Sequence, residues 1–248
     1  MRVAALYDVH GNLPALEAVL AEVDELDVDA VVVGGDVCLG PMPRAVLHRL
    51  LQLGERALFL RGNCDRELAA EPSGSGSWAE RTRWTAQQLD KGQRAWLAAL
   101  PGTQSADVDG LGPVLFCHGS PRSDEEILTR ISPEERVATA VADVPEEVVV
   151  CGHTHVQFDR RVAGKRLINA GSVGMPYEAR PGAYWAVLGP DVDLRRTDYD
   201  LEAAAAAIRV SGFPDAGELA DENVLTVPSA EEATEQFERM AQALDEAG

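Results

Sequence analysis

The chain has 248 residues and a formal net charge of −19, with 46% hydrophobic and 25% charged residues. This balance fits a folded globular protein rather than a disordered one, and its negative surplus repels polyanions at long range, which excludes bulk nucleic-acid binding. No apolar run reaches the roughly 18 residues of a membrane helix, and "MRVAALYDVHGN" opens as a strand with no leader pattern, so a cytoplasmic protein without a membrane partner is expected.

The length suits one α/β domain, residues 1–248, carrying an insertion. "VAALY" (3–7) reads as a strand, followed by a helix opening at Asn12 with Pro14 in its first turn and Leu16, Val19, Leu20 and Val23 on one face. "AVVVGGD" (30–36) is a second strand, and "RAVLHRLLQL" a helix stopping at Gly54. "ALFL" (57–60), "PVLFC" (113–117) and "VVVC" (148–151) are further strands. Between them, residues 66–100 form a helical insertion containing Trp78, Trp84 and Trp96, which either pack it onto the body or make it a wall over a site.

After residue 155 a hairpin turns at Ala163-Gly164, and "AYWAVL" and "VDLRRTDY" add strands without helices between them, so the sheets are mixed. The chain closes with a helix over 229–246. Ser229 and Glu232 fit a capping box, and Ala233, Phe237, Met240 and Leu244 keep helical spacing. That helix packs on the body or on a second subunit, which leaves a homo-oligomer open. The four cysteines, Cys38, Cys64, Cys117 and Cys151, form no C-x-x-C pair and read as reduced thiols.

Five strands end in polar residues: Asp8-Val9-His10, Gly34-Gly35-Asp36, Gly62-Asn63-Cys64-Asp65, His118-Gly119-Ser120 and Gly152-His153-Thr154-His155. Ligands of α/β sheets sit beyond the carboxyl ends of strands, so these ends are expected to converge. Four of the five histidines lie in them. Asp8 and His10, like His153 and His155, are one residue apart, which on an extended chain aims both side chains the same way about 6.5 to 7 Å apart. Oxygen and imidazole donors without an obligatory thiolate suit Mn, Fe, Zn or Co, with Mn favoured. Seven such side chains exceed one tetrahedral ion, and two ions sharing a carboxylate use them better.

In this order, the five motifs resemble the calcineurin-like metallophosphoesterase superfamily, and "INAGSVGMP" (168–176) is similar to a segment of its small bacterial and archaeal phosphodiesterase branch. The resemblance implies an α/β fold of two packed mixed β-sheets flanked by helices, a four-layer αββα sandwich. It implies two divalent ions per chain, one on Asp8, His10, Asp36 and His155, the other on Asp36, Asn63, His118 and His153. A water shared by such ions falls in pKa from 15.7 toward roughly 7 and attacks phosphorus in line. The expected activity is phosphoester hydrolysis, most of all of phosphodiesters. A phosphomonoesterase, acting on proteins or dinucleoside polyphosphates, is the alternative within catalysis. A catalytically inactive protein-binding scaffold, as in a retromer subunit resembling this branch, is the alternative outside it, although here all seven ligand positions are filled.

Asp36, Asn63, Cys64 and His118 are the expected catalytic group. Much of the superfamily has histidine where Cys64 stands. A mostly neutral thiol is a weak donor, which favours substrates with good leaving groups, unless Cys64 is only a small buried filler. Asp65 either orients a ligand or caps the following helix. Arg66, Arg122, Ser172 and Tyr177 are candidate substrate contacts.

Overall fold

The computed structural model of the chain describes residues 1–70 and 73–247. In chain order these form β1 (Val3–Leu6), α1 (Leu13–Glu25), β2 (Ala30–Val33), α2 (Pro43–Leu51), β3 (Ala57–Phe59), α3 (Asn63–Ala69), α4 (Ser77–Gln88), α5 (Lys91–Ala98), β4 (Thr103–Val108) and β5 (Gly112–Cys117). There follow α6 (Glu134–Ala140), β6 (Val148–Cys151), β7 (Phe158–Val162), β8 (Lys165–Asn169), β9 (Ala183–Leu188), β10 (Val192–Thr197), α7 (Leu201–Arg209), α8 (Ala216–Ala220) and α9 (Ala230–Ala247).

Two mixed sheets result, ordered β10-β9-β1-β2-β3 and β4-β5-β6-β8-β7. Strands β1, β2 and β3 run parallel in the first, and β5, β6 and β8 in the second. Alternation of side chains along each strand builds the layers. In β1, Val3 and Ala5 join Val32, Val114, Phe116, Val150 and Ile168 in the core between the sheets. Ala4 and Leu6 face the other way with Val31 and Val33, against Leu16, Val19 and Leu20 of α1 and Leu47 and Leu50 of α2. On the far side, Leu115, Val149 and Leu167 meet Val137 and Ala140 of α6. Strands buried on both faces need apolar residues at every position, which is why "VAAL", "AVVV" and "VVVC" carry no polar alternation. The chain is the expected αββα sandwich.

Local signals fix several boundaries. Asn12 caps α1 by accepting from the Ala15 N–H at 3.2 Å. The Ser229 hydroxyl accepts from the Glu232 N–H at 3.2 Å and starts α9. Trp96 packs edge-on against Phe59 at 5.0 Å, and Trp84 against Phe213 at 5.4 Å, so both rings dock their helices onto neighbouring elements. Trp78 is exposed, its indole N–H donating to Glu67.

Three features depart from the sequence reading. Strands β1 and β2 stop at Leu6 and Val33, before the polar residues, because the backbone leaves the extended region there. Strand β4, "TQSADV", is an edge strand whose partly exposed side chains lack the β-branched run that marks the central strands. Helices α6, α7 and α8 are also present; Asp200 caps α7 by accepting from the Ala203 N–H at 2.9 Å. Among the described residues no helix is long and apolar enough to cross a membrane.

Phe116 is fully buried between the sheets. Phe116→Ala is expected to lower unfolding free energy by about 3–5 kcal/mol, read as a shift of the urea midpoint at constant slope.

Candidate metal centre

The turns after β1, β2, β5 and β6 and the start of α3 after β3 bring their polar residues to one place. Asp8, His10, Asp36, His153 and His155 all sit in the left-handed region, with φ between 45° and 66°, and they are five of the seven non-glycine residues there among the described residues. Left-handed backbone is sparsely populated by non-glycine residues and collects at functional sites. The extended geometry expected for the Asp8/His10 and His153/His155 pairs is therefore replaced by tight left-handed turns. These turns bring donors closer than a pleated strand would: the His10 Nε2 atom lies 3.9 Å from Asp8 Oδ1.

The tautomers follow from hydrogen bonding. His10 Nδ1 lies 3.1 Å from the Leu39 carbonyl and His155 Nδ1 2.7 Å from the Met175 carbonyl. A carbonyl only accepts, so each Nδ1 carries the proton and each Nε2 keeps a lone pair. Those two Nε2 atoms face each other at 3.2 Å. Asp8 Oδ1, buried and without a hydrogen-bond partner, lies 3.4 Å from His155 Nε2 and 3.8 Å from His118 Nε2. Lone pairs converging on one buried point repel unless a cation or proton sits among them, and this fits a metal ion. Burial and the neighbouring His155 lower the pKa of His10, which leaves the cation as the better occupant.

Asp36 stands between two groups of donors. Its Oδ2 lies 3.9 Å from His10 Nε2 and 3.4 Å from His118 Nε2. Atoms of Asp8, His10 and His155 approach one another within 4.8 Å, and so do those of Asp8, Asp36 and His118. His118 donates from Nδ1 to the Gly34 carbonyl at 2.9 Å and faces Asn63 Oδ1 with Nε2 at 3.1 Å. Burial opposes charge on this ring, but Asp36 and Asp8 outweigh it and carry its pKa up to about 10. His153 packs edge-on against His118, ring centres 5.2 Å apart, and is pushed down to about 4 by burial and by that neighbour. Its ring lies outside the clusters of converging donor atoms, while its backbone N–H donates to Asp8 Oδ2 at 3.0 Å.

The Cys64 sulfur lies within 4.8 Å of donor atoms of His10 and Asp36, and it is committed to Asp36. Its thiol donates to Asp36 Oδ2 at 2.8 Å, its N–H donates to Asp36 Oδ1 at 2.9 Å, and the residue is 1% exposed. Burial and the Asp36 charge hold the thiol well above its usual pKa, so it stays neutral. Asp65 accepts from the N–H groups of Asp36, Val37 and Gly62 at 2.8, 3.1 and 3.1 Å. Its bond from the Gly62 N–H is the helix-capping role expected for it, and the bonds from Asp36 and Val37 further tie the Asp36 turn to the start of α3. Close approach makes Gly62 necessary: a Cβ there would lie 2.1 Å from Asp36 Oδ1.

The candidate substrate contacts divide. Arg66 is bidentate on Asp124 at 2.9 and 3.2 Å and also pairs with Glu125, and Arg122 pairs with Glu126 at 2.8 Å, so both guanidinium groups are engaged by carboxylates. Ser172 is fully buried; its hydroxyl donates to the Asp8 carbonyl at 2.7 Å and accepts from the Met175 N–H at 2.8 Å. It supports the Asp8 turn. Tyr177 remains at the cavity, stacked on His155 with ring centres 4.9 Å apart. Asn169 was not singled out by the sequence reading: it donates to the Gly152 carbonyl at 2.6 Å and Thr154 Oγ1 at 3.0 Å, and accepts from the Gly171 N–H at 2.9 Å. An asparagine closing a strand just before Ala-Gly is the signal that marks it.

A sequence model of the calcineurin-like phosphoesterase superfamily domain matches residues 1–190. An uncharacterised protein of Methanocaldococcus jannaschii is 24% identical over 237 residues, 86% of this chain and 94% of that one. A metallophosphoesterase from Sphaerobacter thermophilus has a similar crystal structure, with TM-score 0.72 and 29% identity, covering 89% of this chain and 97% of that chain. A hypothetical protein from Pyrococcus horikoshii shares the fold at TM-score 0.78 and 20% identity, covering 88% and 97%. With the domain model spanning most of its length, this chain belongs to the calcineurin-like phosphoesterase superfamily.

Proposed function

We propose that the chain is a divalent-metal-dependent phosphodiesterase. The observation that carries this reading is the pair of Nε2 lone pairs of His10 and His155 facing each other at 3.2 Å beside the unpartnered Asp8 Oδ1. Asp8, His10, Asp36 and His155 would hold one ion, and Asp36, Asn63, His118 and His153 a second, with Mn favoured. Bound there, two divalent ions lower the pKa of water toward neutrality and offset the charge of a phosphoryl group.

The chain's own residues set the geometry. The carbonyls of Leu39, Met175 and Gly34 orient His10, His155 and His118, fixing which nitrogen faces the cavity. Asp65 and Ser172 hold the turns bearing Asp36 and Asp8. Cys64 directs its proton to Asp36, so it offers none to a departing alkoxide. Diesters whose leaving groups depart without protonation are therefore the better substrates.

Loading with Mn is expected to give turnover of bis(4-nitrophenyl) phosphate, chelation to abolish it, and Asp36→Asn to lower it by roughly 100-fold or more. Fully metal-loaded protein that hydrolyses neither phosphodiesters nor phosphomonoesters overturns the reading, and preferential hydrolysis of monoesters moves it to the alternative reaction. Across a series of aryl phosphodiesters, kcat/KM is expected to fall steeply as leaving-group pKa rises, with the same slope in Cys64→Ser; a flat series refutes the leaving-group argument. Asp65→Asn, which turns an NH2 toward backbone donors, is expected to weaken Mn affinity by roughly 10- to 100-fold in calorimetry.

A further inference from the structure

The C-terminal helix lies outside the residues that the superfamily model matches, yet it reaches the centre. Phe237 on α9 places its ring 6.3 Å from the ring of His153 and 6.2 Å from that of Tyr177. Tyr177 in turn stacks on His155 with 27° between the ring planes. Two imidazoles of the centre are thus bordered by aromatic rings brought from separate parts of the chain.

Helix α9 is fixed in register by the next residue. The buried Glu238 carboxylate accepts from the Thr129 hydroxyl at 2.6 Å, from the Ser132 hydroxyl, and from Arg136 at 2.7 Å. A carboxylate stays buried only where such donors replace water, and sliding or rotating α9 would strip them from it. Phe237 is therefore held at the border of the site. Neither ring is fully covered: Phe237 and Tyr177 are both half-buried.

Charged and imidazole donors bordered by partly exposed aromatic rings are complementary to a molecule with a phosphoryl group beside a flat apolar surface. We propose that Tyr177 and Phe237 form an aromatic subsite, and that the substrates are phosphoesters carrying a planar aromatic group, with Phe237 as the residue that sets the preference. The proposal rests on the phosphoesterase reading above. A nucleobase and an aryl group share this chemistry, and both stack on aromatic side chains.

Calorimetry on the Mn-loaded full chain tests it with two matched pairs: phenylphosphonate against methylphosphonate, and adenosine 5′-monophosphate against ribose 5-phosphate. In at least one pair the ring-bearing ligand is expected to bind roughly tenfold tighter. Phe237→Leu, which keeps apolar volume without a ring, is expected to bring that ratio close to one, and Phe237→Trp to restore it. Preference in the first pair alone assigns an aryl group, and in the second alone a nucleobase. Equal affinities in both pairs, or a ratio that survives Phe237→Leu, overturn the subsite. Hydrolysis of bis(4-nitrophenyl) phosphate by the same preparation separates two failures. Turnover without ring preference overturns the subsite alone. Absence of both turnover and phosphonate binding overturns the phosphoesterase reading and the subsite with it.

Discussion

Everything at the rim of this molecule follows from crowding buried carboxylates and imidazoles around one point. Asp8, Asp36 and Asp65 are all buried, and Asp8 and Asp36 lie within 3.9 Å of His10, His118 or His155. Charges taken out of water are tolerated only when other charges, hydrogen bonds or ions replace the lost hydration. The chain supplies part of that replacement. His118 draws Asp36 well below the usual carboxylate range, although burial alone would raise it. The remainder is missing at Asp8 Oδ1, and that gap, set against two inward lone pairs, gives the site its appetite for cations.

The sandwich is what brings these groups together. Parallel strands from both sheets end at the same rim, so ligands from distant parts of the chain arrive together without a long loop having to order itself. Left-handed turns then fold each ligand inward. Such backbone costs of order 1–3 kcal/mol per residue unless its surroundings enforce it. Asp65, Ser172 and Asn169 do the enforcing through bonds to main-chain groups of the turns. Glycine contributes by absence, since a side chain at Gly152 would meet both the Tyr7 ring and Asp8 Oδ2 within 2.6 Å.

Charge and placement also bear on how a strongly acidic chain would receive the anionic substrate proposed for it. The arginines adjacent to the motifs, Arg66 and Arg122, are engaged by Asp124, Glu125 and Glu126. On the proposed reading, attraction for phosphate would fall to cations held at the centre, and recognition of the rest of the substrate to its border. There α9, closing the chain, contributes an aromatic ring rather than a charge.

Legible in the chain's residues were the elements buried on both faces and Asp8, His10, Asp36, His118 and His155, whose donor atoms converge. Uninterrupted apolar runs such as "VVVC" admit few alternatives, and aspartate, asparagine and histidine placed directly after them have little reason to be there except chemistry. Folding settled which donors meet, which nitrogen of His10, His118 and His155 points inward, and that the Cys64 thiol serves Asp36. It also decided that Arg66 and Arg122 are already paired, that the polar edge strand β4 forms, and that Phe237 reaches His153. These outcomes depend on contacts between residues far apart in the chain, such as Asp8 with His153 or Thr129 with Glu238. Local periodicity and propensity carry no record of such contacts, because the energy that selects them appears only once the two sheets have packed.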